Sequence, residues 1–240
     1  MGSWAQRNLI STWNEGSLHA ALKERYAEPG DLCEAVVDGY VVDILRCDEL
    51  IEVQTGHFAS IKAKLSHFVP FRRVLLVYPI ARHKWIVKVA PMADGSPIGE
   101  RLGRRRSPKR GQILDLFDEL VRIPRLAGHP NLTLDVVLCD VNEIRCNDGQ
   151  GSWRRQGVSV VDQELLEVVG AMRLRTPDDF ARLLPEGLDE PFTNRRLAEV
   201  ADISPRLAAR ITYCLHKMGA LERVGREGRA YLYRRSDVSF

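Results

Sequence analysis

Apolar residues first recur at helical spacing over 17–26, where Leu18, Ala21, Leu22 and Tyr26 share a face and Ser17 stands at the cap position. Pro29-Gly30 ends that helix. The pattern then switches to short β-branched runs over 34–38, 40–45 and 50–54. Gly39 and the polar stretch 46–49 separate them, as in a meander of three strands. Phe58, Ile61, Leu65 and Phe68 predict a second helix over 58–69. The run 73–78 is apolar on both faces and stops at Pro79, which reads as a buried strand, and 85–89 reads as another. A helix between the third and fourth strands implies a parallel crossover.

Beyond this point the Gly-, Pro- and Arg-rich stretch 92–110 reads as loop. A helix is predicted over 111–127, with Ile113, Leu114, Phe117, Leu120 and Val121 on its apolar face, and a strand over 132–138. Turn residues fill 147–157. Helices are predicted over 162–184, broken near Thr176-Pro177, and 185–191 reads as a linker. A short helix follows over 193–201, then a turn at Asp202-Ile203. Ser204 caps a longer helix over 205–218, with Pro205 at its first position and Gly219 just past its end. Two strands, 221–224 and 229–234, close the chain around a Gly-Arg-Glu-Gly turn. The expected architecture is α/β in three parts: a sheet domain over 1–160, a helical connector over 161–190 and a small domain over 191–240.

Composition narrows the class. With 240 residues, 45% hydrophobic and 28% charged, the chain is neither disordered, collagen-like nor a coiled coil. No apolar run approaches the ~20 residues that span a bilayer, and 1–16 holds no apolar core of a signal peptide. The expectation is a cytoplasmic protein without a membrane partner. Five cysteines (Cys33, Cys47, Cys139, Cys146, Cys214) are an odd number without a CxxC pair, and are expected as reduced, mostly buried thiols. The net charge of +3 says little, but its distribution is uneven: 191–240 holds ten Lys/Arg against five Asp/Glu. A second basic cluster comprises Arg101, Arg104, Arg105, Arg106, Lys109 and Arg110. Such patches suit polyphosphate partners.

The order helix, tight turn, helix, hairpin over 191–240 resembles the winged helix-turn-helix families of bacterial regulators. In such folds the second helix enters the major groove and the wing touches the backbone. The resemblance implies nucleic-acid contact by Arg206 and Arg210 on that helix and by Arg226 in the hairpin.

The acids Asp43 and Glu52 sit within apolar strand segments, where an unpaired charge is costly. If the two strands pair as a hairpin, these carboxylates face each other, and a hard divalent cation would relieve their repulsion. Glu52 and Gln54 share one face of their strand. This plan of a helix with Glu24, strands with Asp43 and with Glu52-Val53-Gln54, then helix and strand, resembles the PD-(D/E)xK nuclease superfamily over about residues 15–90. The resemblance implies a restriction-endonuclease-like mixed sheet. It also implies Mg²⁺ or Mn²⁺ held by Asp43, Glu52 and the Val53 carbonyl, with Glu24 as an outer contributor. Gln54 stands where the family usually has lysine; it can orient a water but supplies no charge. Either Lys62 or Lys64, on the next helix, could supply it, or the site is weak.

The function so implied is metal-dependent hydrolysis of DNA by an endonuclease or exonuclease, in a mobile-element or defence setting. Arg104, Arg105, Arg106, Lys109 and Arg110 would grip the substrate backbone, and a homodimer or partner protein is left open. The alternative is a non-catalytic DNA-binding regulator or assembly protein with a degenerate nuclease core. His57, His67 and His83 are scattered, with His57 near the expected cleft. No GxSxG, P-loop, GxGxxG after a strand or HExxH occurs, so those chemistries have no support.

Overall fold

The computed structural model describes residues 16–91 and 99–236. The stretch read for a signal peptide lies, except for its last residue, outside them, as does 92–98 of the expected loop. The first half follows the predicted order: α1 (Ser17–Tyr26), β1 (Leu32–Val37), β2 (Tyr40–Arg46), β3 (Glu49–Val53) and α2 (Phe58–Phe68). Strands β1 to β3 form an antiparallel meander, and α2 returns the chain so that β4 (Arg73–Val89) lies parallel to β3, with Leu50 beside Val74 and Glu52 beside Leu76. The fold is mixed α/β. Its sheet has seven strands in the order β1-β2-β3-β4-β6-β7, where β6 is Leu132–Asn147 and β7 is Val158–Leu174, with β5 (Arg101–Arg106) added on β4.

The second half departs from the expected elements. The two expected strands at 73–78 and 85–89 are one strand of 17 residues. Pro79 does not stop it, because Pro79 lies between the segments that pair with β3 and with β5, and its missing N–H costs neither ladder a rung. Part of the expected loop is strand β5, whose six residues are all exposed and carry no burial pattern to betray it. The helix expected over 111–127 is a 3₁₀ turn (Ile113–Leu116) followed by short helices α3 (Phe117–Leu120) and α4 (Pro124–Ala127), since Pro124 cannot donate within a helix but fits its first turn. Strand β6 runs over Leu132–Asn147. The helices expected over 162–174 are instead strand β7 (Val158–Leu174), and only α5 (Pro177–Ala181) is helical in the connector. The run Leu165-Leu166 to Val168-Val169 suits either period, and pairing with β6 decides it. The cap of α1 also differs: Ser17 is its first residue, and Asp162 accepts hydrogen bonds from the Ser17 amide (2.9 Å) and hydroxyl.

The C-terminal elements match their local signals. Helices α6 (Asn194–Val200) and α7 (Pro205–Met218) are joined by a tight turn. They are followed by an antiparallel hairpin of β8 (Leu221–Glu227) and β9 (Ala230–Arg235). Ser204 accepts from the Leu207 amide (3.2 Å), and Gly219 takes the left-handed conformation (φ 85°) that ends α7.

The chain divides into two compact units that interleave along the sequence. One comprises residues up to 27, 81–110 and 139–169; the other comprises 28–80, 111–138 and 170–240. In the second unit one core runs from Val42, Leu50 and Phe58 through Leu76, Phe117 and Leu134 to Leu215 and Tyr233. Leu188 of the expected linker is buried in it, as are Leu184 and Phe192 on either side. The C-terminal helices are thus built onto the same core as β2, β3 and α2.

Candidate functional site

Strands β2 and β3 pair with Ile44 opposite Ile51 and Leu45 opposite Leu50. One step further, that register sets Asp43 opposite Glu52. The Asp43 carboxylate accepts from the Val53 amide at 2.7 Å, which holds it against β3. Glu52 is only 4% exposed, between Ile51 and Val53. Its carboxylate meets the Lys64 ammonium of α2 at 2.6 Å. Burial, opposed by the Lys64 hydrogen bond and helped by the charge of Asp43, pushes the Glu52 carboxyl up to about 7. Two carboxylates and one ammonium therefore converge where the meander meets α2.

Lys64, not Gln54, stands at Glu52. The Gln54 amide donates to the His57 carbonyl (3.4 Å) and the Ser60 hydroxyl (3.3 Å), so it fastens the first turn of α2. Glu119 of α3 completes that end, accepting from the Phe58 amide at 3.0 Å and contacting the His57 ring at 3.1 Å. Lys62, two residues before Lys64, is exposed. Glu24 is exposed on α1 and belongs to the other compact unit.

The donor set suits a hard cation: two carboxylates with excess negative charge are what Mg²⁺ commonly takes from protein, with waters and substrate phosphates completing its shell. Among the described residues no group of three or more His, Cys, Asp and Glu is placed to hold a metal. An ion here would thus rest on Asp43, Glu52 and backbone oxygen.

The expected basic residues fall in different settings. Arg104, Arg105 and Arg106 form the exposed β5, in the unit that also holds Lys109 and Arg110. Arg104 and Arg106 lie over the Trp85 ring at 4.9 and 5.8 Å, and Arg104 also donates to Asn142. Arg206 is exposed at the start of α7, whereas Arg210 is ion-paired with Asp118 of α3. Arg226 stacks on Tyr231 (4.6 Å) and donates to its hydroxyl. His67 faces Asp38 and His83 faces Asp140. All five cysteines are free; Cys139, Cys146 and Cys214 are buried, while Cys33 and Cys47 are exposed. Among the described residues no helix is long and apolar enough to cross a membrane.

Residues 16–175 match the family model described as "Domain of unknown function (DUF8091)". The chain is also 32% identical over 228 residues to an uncharacterized protein of Treponema pallidum (strain Nichols), covering 94% of this chain and 87% of that relative. No solved structure gives a significant match.

Proposed function

The chain belongs to the DUF8091 family, and we propose that it is a Mg²⁺- or Mn²⁺-dependent nuclease of PD-(D/E)xK type acting on DNA, with α6, α7, β8 and β9 as a winged helix that helps to hold the nucleic acid. The observation that carries this reading is the convergence of Asp43, Glu52 and Lys64 on β2, β3 and α2. It supplies the two acids and the positive charge that the motif needs, with the charge coming from the helix instead of position 54.

Asp43, Glu52 and the Val53 carbonyl would hold the ion. When bound, the metal lowers the pKa of its water and offsets charge developing on the phosphate. Lys64, with three donors and no acceptor, orients the attacking water and adds positive charge beside the scissile phosphate. Gln54 keeps the start of α2 in place, and so keeps Lys64 aimed at Glu52. Burial of Glu52 excludes bulk water and strengthens each of these interactions.

The test is cleavage of duplex, single-stranded and branched DNA and of RNA with Mg²⁺ or Mn²⁺, beside Asp43→Ala, Glu52→Ala and Lys64→Met. Metal-dependent cutting of DNA lost in all three is the expected result. Cutting that survives Asp43→Ala and Glu52→Ala would refute the site. The second reading, a DNA-binding protein without catalysis, is favoured by the Lys64–Glu52 ion pair itself, which satisfies Glu52 without a metal. DNA binding without cleavage of any substrate would select it.

A further inference from the structure

The second compact unit holds a cavity of about 370 Å³ lined by α2, the segment around α4, and α7. Four cations reach it: Lys62 from α2, Arg122 and Arg125 from the α4 segment, and Lys217 from α7. All four are exposed, and no carboxylate is among the lining residues. Tyr213, 40% exposed, adds an aromatic wall, with the Lys217 ammonium 5.9 Å from its ring centre.

Elsewhere in this unit cations are usually matched. Arg46 pairs with Asp31, Arg173 with Asp135 and Arg235 with Glu190. Among the described residues none of the four cavity cations has an ion-pair partner. The acids nearest along the chain are committed to other partners: Asp118 to Arg210, and Glu119 to the start of α2. Four like charges gathered around one concavity repel one another, and an anion with several oxygens removes that cost.

We propose that this cavity binds the phosphodiester backbone of the nucleic acid acted on at Asp43 and Glu52, an inference that rests on the nuclease reading. Lys62 is two residues from Lys64 on one helix, so a single rigid element links the backbone grip to the cleavage site. The cavity also gives α7 a role at its C-terminal end, where Tyr213 and Lys217 are exposed, while Arg210 nearer its start is engaged by Asp118.

The experiment measures binding of short fluorescein-labelled DNA and RNA duplexes to the full chain by anisotropy, without divalent metal, over a range of salt concentrations. Variants are Lys62→Gln, Arg125→Gln and Lys217→Gln, singly and combined, with the ion-paired surface residue Arg182→Gln as charge-matched control. Each cavity variant should bind more weakly and reduce the slope of log affinity against log salt by about 1, the triple variant by about 3, and Arg182→Gln by none. If the triple variant fails to melt cooperatively, Lys217→Gln alone carries the test. Wild-type binding with unchanged slopes in the cavity variants overturns the cavity proposal and leaves the nuclease reading intact. Wild type that binds neither DNA nor RNA overturns both.

Discussion

Replacing Glu52 with glutamine should change how stability depends on pH, by an amount that the burial of this side chain sets. The carboxyl is pushed from 4.5 up to about 7, chiefly by burial. At 1.36 kcal/mol per pH unit, that interval is worth about 3 kcal/mol between its protonated and ionised forms. The folded state binds this proton more tightly than the unfolded chain does. Its contribution is therefore complete below 4.5, declines as pH rises, and is lost above about 7. Glu52→Gln keeps the shape and cannot ionise. Urea unfolding followed by tryptophan fluorescence, in EDTA, should show the variant gaining on wild type by most of that ~3 kcal/mol between pH 4.5 and about 8. Titrating groups remote from Glu52 act equally in both proteins and cancel in the difference; only its neighbours Asp43 and Lys64 are coupled to it. Added Mg²⁺ should raise wild-type stability at the alkaline end, by ~2.7 kcal/mol at a hundredfold excess over its Kd, and leave the variant unmoved. A stability difference constant across this pH range would refute the argument that burial raises the Glu52 carboxyl.

Lys64→Met should lower metal-dependent cleavage by about 10²- to 10⁴-fold, and Gln54→Ala by less, because Lys64 reaches Glu52 whereas Gln54 fastens α2; single-turnover rates separate the two. Phe58→Ala removes a fully buried ring that packs on Tyr78 at 4.9 Å between centroids, and should cost about 3–5 kcal/mol in denaturant unfolding. Gly219→Ala forces a side chain into φ 85° at the end of α7 and should cost ~1–2 kcal/mol, read as a lowered melting temperature.

Local patterns sufficed where one segment's own chemistry chose its conformation. The meander β1 to β3, the apolar face of α2, and the Ser204 and Gly219 ends of α7 all depend on neighbours within a few residues, and each was legible. So was the apposition of Asp43 and Glu52, because a hairpin register follows from strand alternation. Strands β5 and β7 were not legible. Their backbones are fixed by hydrogen bonds to β4 and β6, while the residues of β5 are all exposed and those of β7, Leu174 apart, are at most partly buried, so neither leaves a clear hydrophobic period.

The lysine shows the same division at the site. Lys62 and Lys64 flank the buried stripe of α2 on opposite sides, about 200° apart around the helix, so periodicity ranks neither above the other. Which flank meets Glu52 depends on how α2 is set against β3 and β4 by the parallel crossover and by Phe58, Ile61 and Leu65 in the core. That packing turns Lys64 to Glu52 and Lys62 to the basic cavity. Sequence spacing supplied the residue types and their rotation about one helix axis. Only tertiary packing brought Lys217 and Arg125 to Lys62 and sent Arg210 to Asp118, because such contacts join segments far apart in the chain.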